Sequence, residues 1–214
     1  MIKAVIFDMD GLMIDSERVT FECYQEVLKE MGLTMSQSFY ISLLGKPIPG
    51  IQTRFYEEYG EDFPINEVIK ATHQLMAERF EKEGVPIKKG LISLLDYLKE
   101  HNYKTIVATS STRDRVDSIL ASAHLTDYFD ASICGDEVTH GKPDPEVFLK
   151  SCEKLHVSPD EAIVLEDSEA GILSAYDAKI KVICIPDMKY PEESYAKKTT
   201  HILDSLDEVI QFLK

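Results

Sequence analysis

The sequence of 214 residues contains no long apolar run, no Cys-x-x-Cys pair and few basic residues for its length. The apolar run that opens at Met1 is broken by Asp8 and Asp10, so it predicts neither a signal peptide nor a membrane-spanning helix. The four cysteines are scattered and fall in predicted helices or strands, which favours a reducing, cytoplasmic setting. They are Cys23, Cys134, Cys152 and Cys184.

Acidic residues outnumber basic ones by 38 to 23, which gives a formal net charge of -15. Binding to a polyanion depends on clustered Lys and Arg, so this balance predicts no nucleic-acid partner. It does not exclude a small phosphorylated substrate, because exposed charges are screened beyond roughly 8 Å at physiological salt. A pocket with a metal and a few cations therefore attracts an anion even on an acidic protein.

The hydrophobic pattern changes along the chain in a way that indicates two folding units. The short β-branched and aromatic run Lys3–Phe7 predicts a buried strand. From Ser16 to Lys82 the apolar residues recur only at helical spacing. After Pro86, helical stripes alternate with short apolar runs, which predicts a parallel sheet with helices on both faces.

We therefore predict an α/β fold with a Rossmann-like parallel-sheet core and an inserted all-helical cap domain. The predicted core comprises residues 1–14 and 86–214, and the predicted cap comprises residues 15–85. Because the insertion follows the first strand directly, we expect the cap to lie over the strand ends and to act as a lid.

Polar residues follow several predicted strands at the end where parallel sheets bind ligands. They are Asp8 and Asp10, then Thr109, Ser110 and Ser111, then Glu166 and Asp167, with Lys142 in a turn before a helix. Clustered carboxylates repel one another, and an oxygen-preferring cation such as Mg²⁺ keeps them ionised. Zinc is not expected, because no His or Cys accompanies them. Gly11 allows a turn in which backbone N–H groups point inward as phosphate donors.

Each of these residues also has a simpler interpretation. Thr109 to Ser111 are suited to capping the helix that begins at Arg113, and Glu166 with Asp167 would favourably start the following helix. Lys142 alone would be read as a solvated loop lysine. Their occurrence together favours a functional site over these separate explanations.

Four segments resemble, in order and setting, the sequence motifs of the haloacid dehalogenase superfamily. They are Asp8-Met9-Asp10-Gly11, Thr109, Gly141-Lys142-Pro143 and Glu166-Asp167-Ser168. The resemblance extends from residue 2 to the last predicted strand. It is to the branch with a helical cap, which includes β-phosphoglucomutase and many sugar-phosphate and nucleotide phosphatases.

The resemblance implies a role for each matching residue. Asp8 would attack phosphorus and form an aspartyl phosphate, and Asp10 would serve as general acid and then as general base. Thr109, with the backbone of Ser110, would bind the phosphoryl oxygens. Lys142 would neutralise charge on Asp8 and on the transferring group.

The resemblance also implies ligands for Mg²⁺ and contacts for the substrate. The metal ligands would be Asp8, the carbonyl of Asp10, Glu166 and Asp167. The substrate contacts would be Met9, Gly11, Ser16, Lys46, Ser110, Ser111 and Arg113. Lys46 lies in a Leu-Gly-Lys-Pro segment between predicted cap helices, and this segment resembles a specificity loop. Arg115 is interpreted as part of a solvated helix face.

The predicted activity is Mg²⁺-dependent hydrolysis of a small phosphomonoester, either a sugar phosphate or a nucleoside monophosphate, by a monomer or weak dimer. A β-phosphoglucomutase-type mutase is the alternative, although Ile48 and Thr20 stand about where that enzyme has an arginine and a histidine. An alternative from another functional class is a receiver-like signalling module, because such modules also use an acidic Mg²⁺ cluster and a phosphorylated aspartate. Receivers, however, are shorter, lack a helical insertion and carry the phosphorylated aspartate on a later strand.

Overall fold

The first strand, β1, Ala4–Phe7, lies inside a six-stranded sheet, and all four of its residues are buried. In this computed structural model, which describes residues 1–46 and 48–213, the strand order is β3-β2-β1-β4-β5-β6 and every neighbouring pair is parallel. The remaining strands are Lys104–Ala108 (β2), Ala131–Ile133 (β3), Ala162–Glu166 (β4), Lys181–Cys184 (β5) and His201–Ile202 (β6). The α/β fold with a parallel sheet is therefore confirmed.

The α-helices are Ser16–Glu30 (α1), Gln37–Ile41 (α2), Ile48–Tyr59 (α3), Ile65–Glu83 (α4), Leu91–Glu100 (α5), Arg113–Ser122 (α6), Glu146–Leu155 (α7), Glu169–Asp177 (α8) and Glu193–Ala196 (α9). Short 3₁₀ helices occupy Thr126–Tyr128, Gly135–Glu137, Pro159–Glu161 and Leu206–Phe212. Within the part of the chain that is described, no helix has the length and apolar character needed to cross a bilayer.

One face of the sheet packs against α7 and α8. Ile6, Ile106 and Val164 from three adjacent strands share a buried cluster with Phe148 and Ile172 from these helices. Burial of a large apolar side chain stabilises a fold by about 1.5–3 kcal/mol, so this layer fixes the helices against the strands. The strand ends that carry polar residues are thereby held in place.

Two compact units make up the described chain. Residues up to Asp15 and from Val85 onward form the sheet unit, and Ser16–Gly84 form a second unit. The described residues of the second unit contain helices α1 to α4 and no strand. Its interior holds the fully buried Phe55, which packs against neighbouring aromatic rings such as that of Phe63, 5.5 Å away between centroids.

The segments of the sheet unit that lead to and from the helical unit run side by side. The N–H of Asp15 donates to the carbonyl of Pro86 at 2.9 Å, and Ile14 forms an antiparallel bridge with Ile87. The N–H of Lys88 continues this pairing by donating to the carbonyl of Met13 at 2.9 Å. The chain therefore leaves the sheet unit and re-enters it at adjacent points.

Candidate active site

Lys142 joins the ends of three strands through its ammonium group. Its Nζ lies 2.5 Å from Oδ1 of Asp8, 2.6 Å from Oε1 of Glu166 and 3.0 Å from the carbonyl oxygen of Ala108. Asp8 directly follows β1, Ala108 ends β2 and Glu166 ends β4. The parallel pairing of these strands brings together residues that are far apart in sequence.

Burial decides the charge state of this cluster. Burial, together with the charge of Glu166, raises the pKa of Asp8 to about 8, although Lys142 acts in the opposite direction. Burial acts to lower the pKa of Lys142, but Asp8 and Glu166 outweigh it and raise that pKa above its usual range. The lysine therefore stays charged, whereas full ionisation of Asp8 at neutral pH requires further positive charge.

Glu166 is fully buried, and both of its carboxylate oxygens have hydrogen-bond partners. Oε1 contacts Lys142, and Oε2 accepts hydrogen bonds from the N–H groups of Asp167 and Ser168 and from the Ser168 hydroxyl at 2.9–3.0 Å. A Cβ on Gly171 would lie only 1.8 Å from Oε1, so the first turn of α8 can approach this closely because position 171 is glycine. Glu166 thus supports Lys142 as well as offering a ligand oxygen.

Three carboxylates of the site can converge on a cation. One oxygen from each of Asp8, Glu166 and Asp167 lies within 4.8 Å of the others. Gly11, with φ of +82°, makes room for this arrangement, because a Cβ there would meet Oδ2 of Asp167 at 2.4 Å. The oxygen-only ligand set and the raised pKa of Asp8 fit a hard divalent cation. The predicted contribution of the Asp10 carbonyl stays a prediction.

Asp10 is held by residues that follow β2. Nη2 of Arg115 lies 2.7 Å from Oδ1 of Asp10, and the hydroxyl of Ser111 donates to Oδ2 at 2.8 Å. The interpretation of Arg115 as part of a solvated helix face was therefore wrong. The predicted substrate contact Ser111 has its hydroxyl engaged with Asp10.

The candidate phosphate-binding residues lie beside Lys142. Thr109 is buried, and its hydroxyl accepts a hydrogen bond from the N–H of Ser111 at 3.1 Å. Thr109, Ser110, Gly141 and Lys142 line one cavity. Its other lining residues are Gly135, Val138 and Val147. The structure thus brings the candidate phosphate-binding residues Thr109 and Ser110 to the same cavity as Lys142.

Arg113, one of the predicted substrate contacts, has its guanidinium engaged by other residues of the sheet unit. Its Nη1 donates to the hydroxyl of Ser132 at 2.6 Å and its Nη2 lies 2.5 Å from Glu137. A further ion pair joins it to Asp117 at 3.2 Å. Arg113 therefore ties α6 to β3 and to the residues that follow that strand, and its guanidinium is engaged there.

The remaining predicted contacts have structural positions that do not establish their roles. Met9 is fully buried, and its carbonyl accepts hydrogen bonds that shape the turn after β1. Ser16 begins α1, and among the described residues its buried hydroxyl has no hydrogen-bond partner. Lys46 is exposed after the turn that follows α2, and Pro47 of the same segment lies outside the described residues. The substrate contacts assigned to Met9, Ser16 and Lys46 stay predictions.

Similarity to known proteins points to one family. The family model described as haloacid dehalogenase-like hydrolase matches residues 5–185. The phosphorylated carbohydrates phosphatase of Thermotoga maritima is 32% identical over 181 residues, which cover 85% of this chain and 83% of the relative. The fructose-1-phosphate phosphatase YqaB of Escherichia coli is 30% identical over 183 residues, which cover 84% of this chain and 94% of the relative.

A solved structure extends the likeness to the fold as a whole. The structure of a proposed beta-phosphoglucomutase from Thermotoga maritima matches with a TM-score of 0.82 at 27% identity, and it covers 99% of this chain and 98% of that one. The strand-end residues described above all lie inside the range that the family model matches.

Proposed function

Since this chain belongs to the haloacid dehalogenase-like hydrolase family, we propose that it is a Mg²⁺-dependent phosphatase of small phosphomonoesters, chiefly phosphorylated sugars. The observation that carries the proposal is the buried contact of Lys142 with Asp8 and Glu166 at 2.5 and 2.6 Å. It supports Asp8 as the nucleophile, because Lys142 provides a fixed positive charge beside this carboxylate at the strand ends. The phosphatases of Thermotoga maritima and Escherichia coli support the substrate class.

In the first half of the proposed reaction, a carboxylate oxygen of Asp8 attacks phosphorus and the ester P–O bond breaks. The departing oxygen takes a proton from Asp10, so the alcohol leaves neutral. Lys142 balances charge on Asp8 and on the transferring group, while Thr109 and Ser110 hold phosphoryl oxygens. Asp8, Glu166 and Asp167 would hold Mg²⁺, which would supply further positive charge for the transfer.

In the second half, Asp10 accepts a proton from water, whose oxygen attacks phosphorus. The bond between phosphorus and Asp8 breaks, inorganic phosphate leaves and the Asp8 carboxylate is restored. One carboxyl group thus gives a proton in the first step and takes one in the second. Two neighbouring carboxyl groups in different surroundings are suited to such divided roles.

Asp10→Asn tests the acid-base role. We expect kcat/KM for a phosphorylated sugar to fall on the order of 10²- to 10⁴-fold, because the amide cannot donate the required proton. Steady-state phosphate release measures the effect, and thermal unfolding checks that the variant is folded. Wild-type turnover in this variant would remove Asp10 from the mechanism.

Removal of the metal tests the cation site. Chelation with EDTA should abolish phosphate release, and added Mg²⁺ should restore it. Since the pKa of Asp8 is raised to about 8 without a cation, a bound cation must displace a proton below that pH. Mg²⁺ affinity should therefore weaken, by up to about tenfold per unit, as pH falls from 8 to 6. Calorimetric titration at several pH values measures this slope, and a flat profile would contradict the assignment.

A mutase is the second candidate, because the Thermotoga maritima structure that matches this chain is that of a proposed beta-phosphoglucomutase. A panel of phosphorylated sugars and nucleoside monophosphates with Mg²⁺ separates the two. The panel includes β-glucose 1-phosphate with a trace of the 1,6-bisphosphate. Release of inorganic phosphate supports the phosphatase, whereas glucose 6-phosphate formed without phosphate release supports the mutase. A stable phosphoprotein without turnover would support the signalling alternative and overturn both.

We further propose that the helical unit Ser16–Gly84 is a cap that selects the substrate, with Lys46 as a candidate contact. The partner is a small phosphorylated metabolite, and the protein acts in the cytoplasm as a monomer or weak dimer. Four buried, unpaired cysteine thiols are consistent with a reducing compartment.

A further inference from the structure

Asp10 is fixed at both carboxylate oxygens by side chains from another segment of the chain. Arg115 contacts Oδ1 at 2.7 Å and Ser111 donates to Oδ2 at 2.8 Å. We propose that Arg115, with Ser111, is a positioning residue that orients the Asp10 carboxyl group for proton transfer. This inference rests on the proposed function, because it assumes that Asp10 moves the proton.

The segment that presents these two donors is itself held in place. The N–H of Ser111 donates to the hydroxyl of Thr109, and the N–H of Arg113 donates to the carboxylate of Asp136 at 3.1–3.2 Å. Val116, next to Arg115 in α6, is fully buried. The guanidinium of Arg115 is therefore projected from a fixed helical turn, as positioning of a catalytic group requires.

Helical geometry separates Arg115 from its neighbour Arg113. Residues two positions apart differ by about 200° around a helix, so the two side chains leave opposite sides of α6. Arg113 contacts Ser132 and Glu137, whereas Arg115 contacts Asp10. Two arginines in the same first turn thus have different tasks.

Proton transfer requires the donor oxygen and the receiving oxygen to approach within about 2.6–3.2 Å. An unrestrained Asp carboxyl group rotates about two side-chain bonds and spends only part of its time in such a geometry. Contacts at both oxygens remove that freedom. Arg115 cannot exchange the proton itself, because a guanidinium stays protonated in proteins and has no acceptor atom. Its contribution is therefore orientation and charge balance.

Dependence on the leaving group tests this role. An aryl phosphate such as p-nitrophenyl phosphate releases a stable anion without protonation, whereas an alkyl phosphate such as a phosphorylated sugar needs a proton. For Arg115→Met with Mg²⁺ present, we expect kcat/KM to fall about tenfold or more for the alkyl ester and less than about threefold for the aryl ester. The parameter kcat/KM is chosen because it reports the step in which the alcohol leaves.

Three further variants make the test specific. Arg115→Lys keeps the positive charge and should recover part of the alkyl-ester activity. Ser111→Ala should show the same leaving-group dependence, and its combination with Arg115→Met should lose less than the product of the single losses, because both side chains act on one carboxyl group. Arg113→Met is the matched control in the same helix, and we expect it to lower thermal stability without changing the ratio of alkyl-ester to aryl-ester activity.

The outcomes separate this inference from the proposed function. An equal fall for both esters in Arg115→Met, or no fall, overturns the positioning role if Asp10→Asn still shows strong leaving-group dependence. If Asp10→Asn retains wild-type activity, both the positioning inference and the proposed acid-base mechanism fail. If Arg115→Met does not fold, Ser111→Ala and Arg115→Lys test the positioning role instead. A wild-type ratio of alkyl-ester to aryl-ester activity in both variants would overturn the inference.

Discussion

Asp8→Asn is expected to abolish both turnover and covalent capture of phosphate. The amide lacks the carboxylate that we propose attacks phosphorus, and removal of a covalent nucleophile costs on the order of 10⁴-fold or more in kcat. The nearly isosteric side chain keeps the shape of the buried site. Phosphate release measures the loss, and mass spectrometry of acid-quenched enzyme detects the phosphoprotein.

A matched control uses the same chemical change at the opposite end of β4. Asp160 is exposed in the 3₁₀ helix that precedes this strand, so Asp160→Asn should retain wild-type activity. A phosphoprotein adduct of normal yield in Asp8→Asn would show that the nucleophile is another residue.

Lys142→Met should lower both activity and stability. The variant loses the charge beside Asp8, and removal of one such electrostatic group costs on the order of 10²- to 10³-fold in kcat. It also leaves Asp8 and the fully buried Glu166 without their shared counter-charge. Breaking a buried ion pair from one side typically destabilises a protein by about 3–5 kcal/mol.

Urea unfolding with and without Mg²⁺ measures the stability effect of this variant. A divalent cation replaces part of the missing charge, so the loss should be larger in EDTA. Lys150→Met is the control, because Lys150 lies in α7, the helix that follows Lys142, and its ion pair with Glu146 is partly exposed and contributes about 0–1 kcal/mol. Equal stability losses for the two variants would contradict the central position given to Lys142.

The sequence predicted the sheet well because each strand is a short apolar run bounded by polar or turn residues. It did not predict β6, which has only two residues, or α2 and α9, which have five and four. Such short elements show no complete period of hydrophobic spacing. Their conformation depends on contacts with the rest of the fold.

The central site was also predictable in outline, because parallel strands place their carboxyl ends at one edge. The sequence therefore predicted that Asp8, Lys142 and Glu166 converge. It did not predict that Glu166 is a direct partner of Lys142, since this depends on how far the lysine reaches from its loop. Strand patterning reports which residues end a strand but not which side-chain atoms meet.

The contact of Arg115 with Asp10 was not predicted for a similar reason. Val116, Ile119 and Leu120 form the buried stripe of α6, and the two arginines flank that stripe on opposite sides. Helical periodicity identifies both flanks. It does not show which flank faces Asp10, because that depends on the rotation of the helix against the sheet.

The hydrogen bond between Asp15 and Pro86 has a consequence for how this protein can diversify. The ends of the helical insertion meet where a short turn could join them, so the insertion behaves as one very long loop whose length has little influence on the strand pairings of β1 and β2. The entropy of closing a loop grows only slowly with its length. Mutation can therefore remodel the insertion, and with it the proposed selection of substrate, while the strand-end cluster around Lys142 stays unchanged.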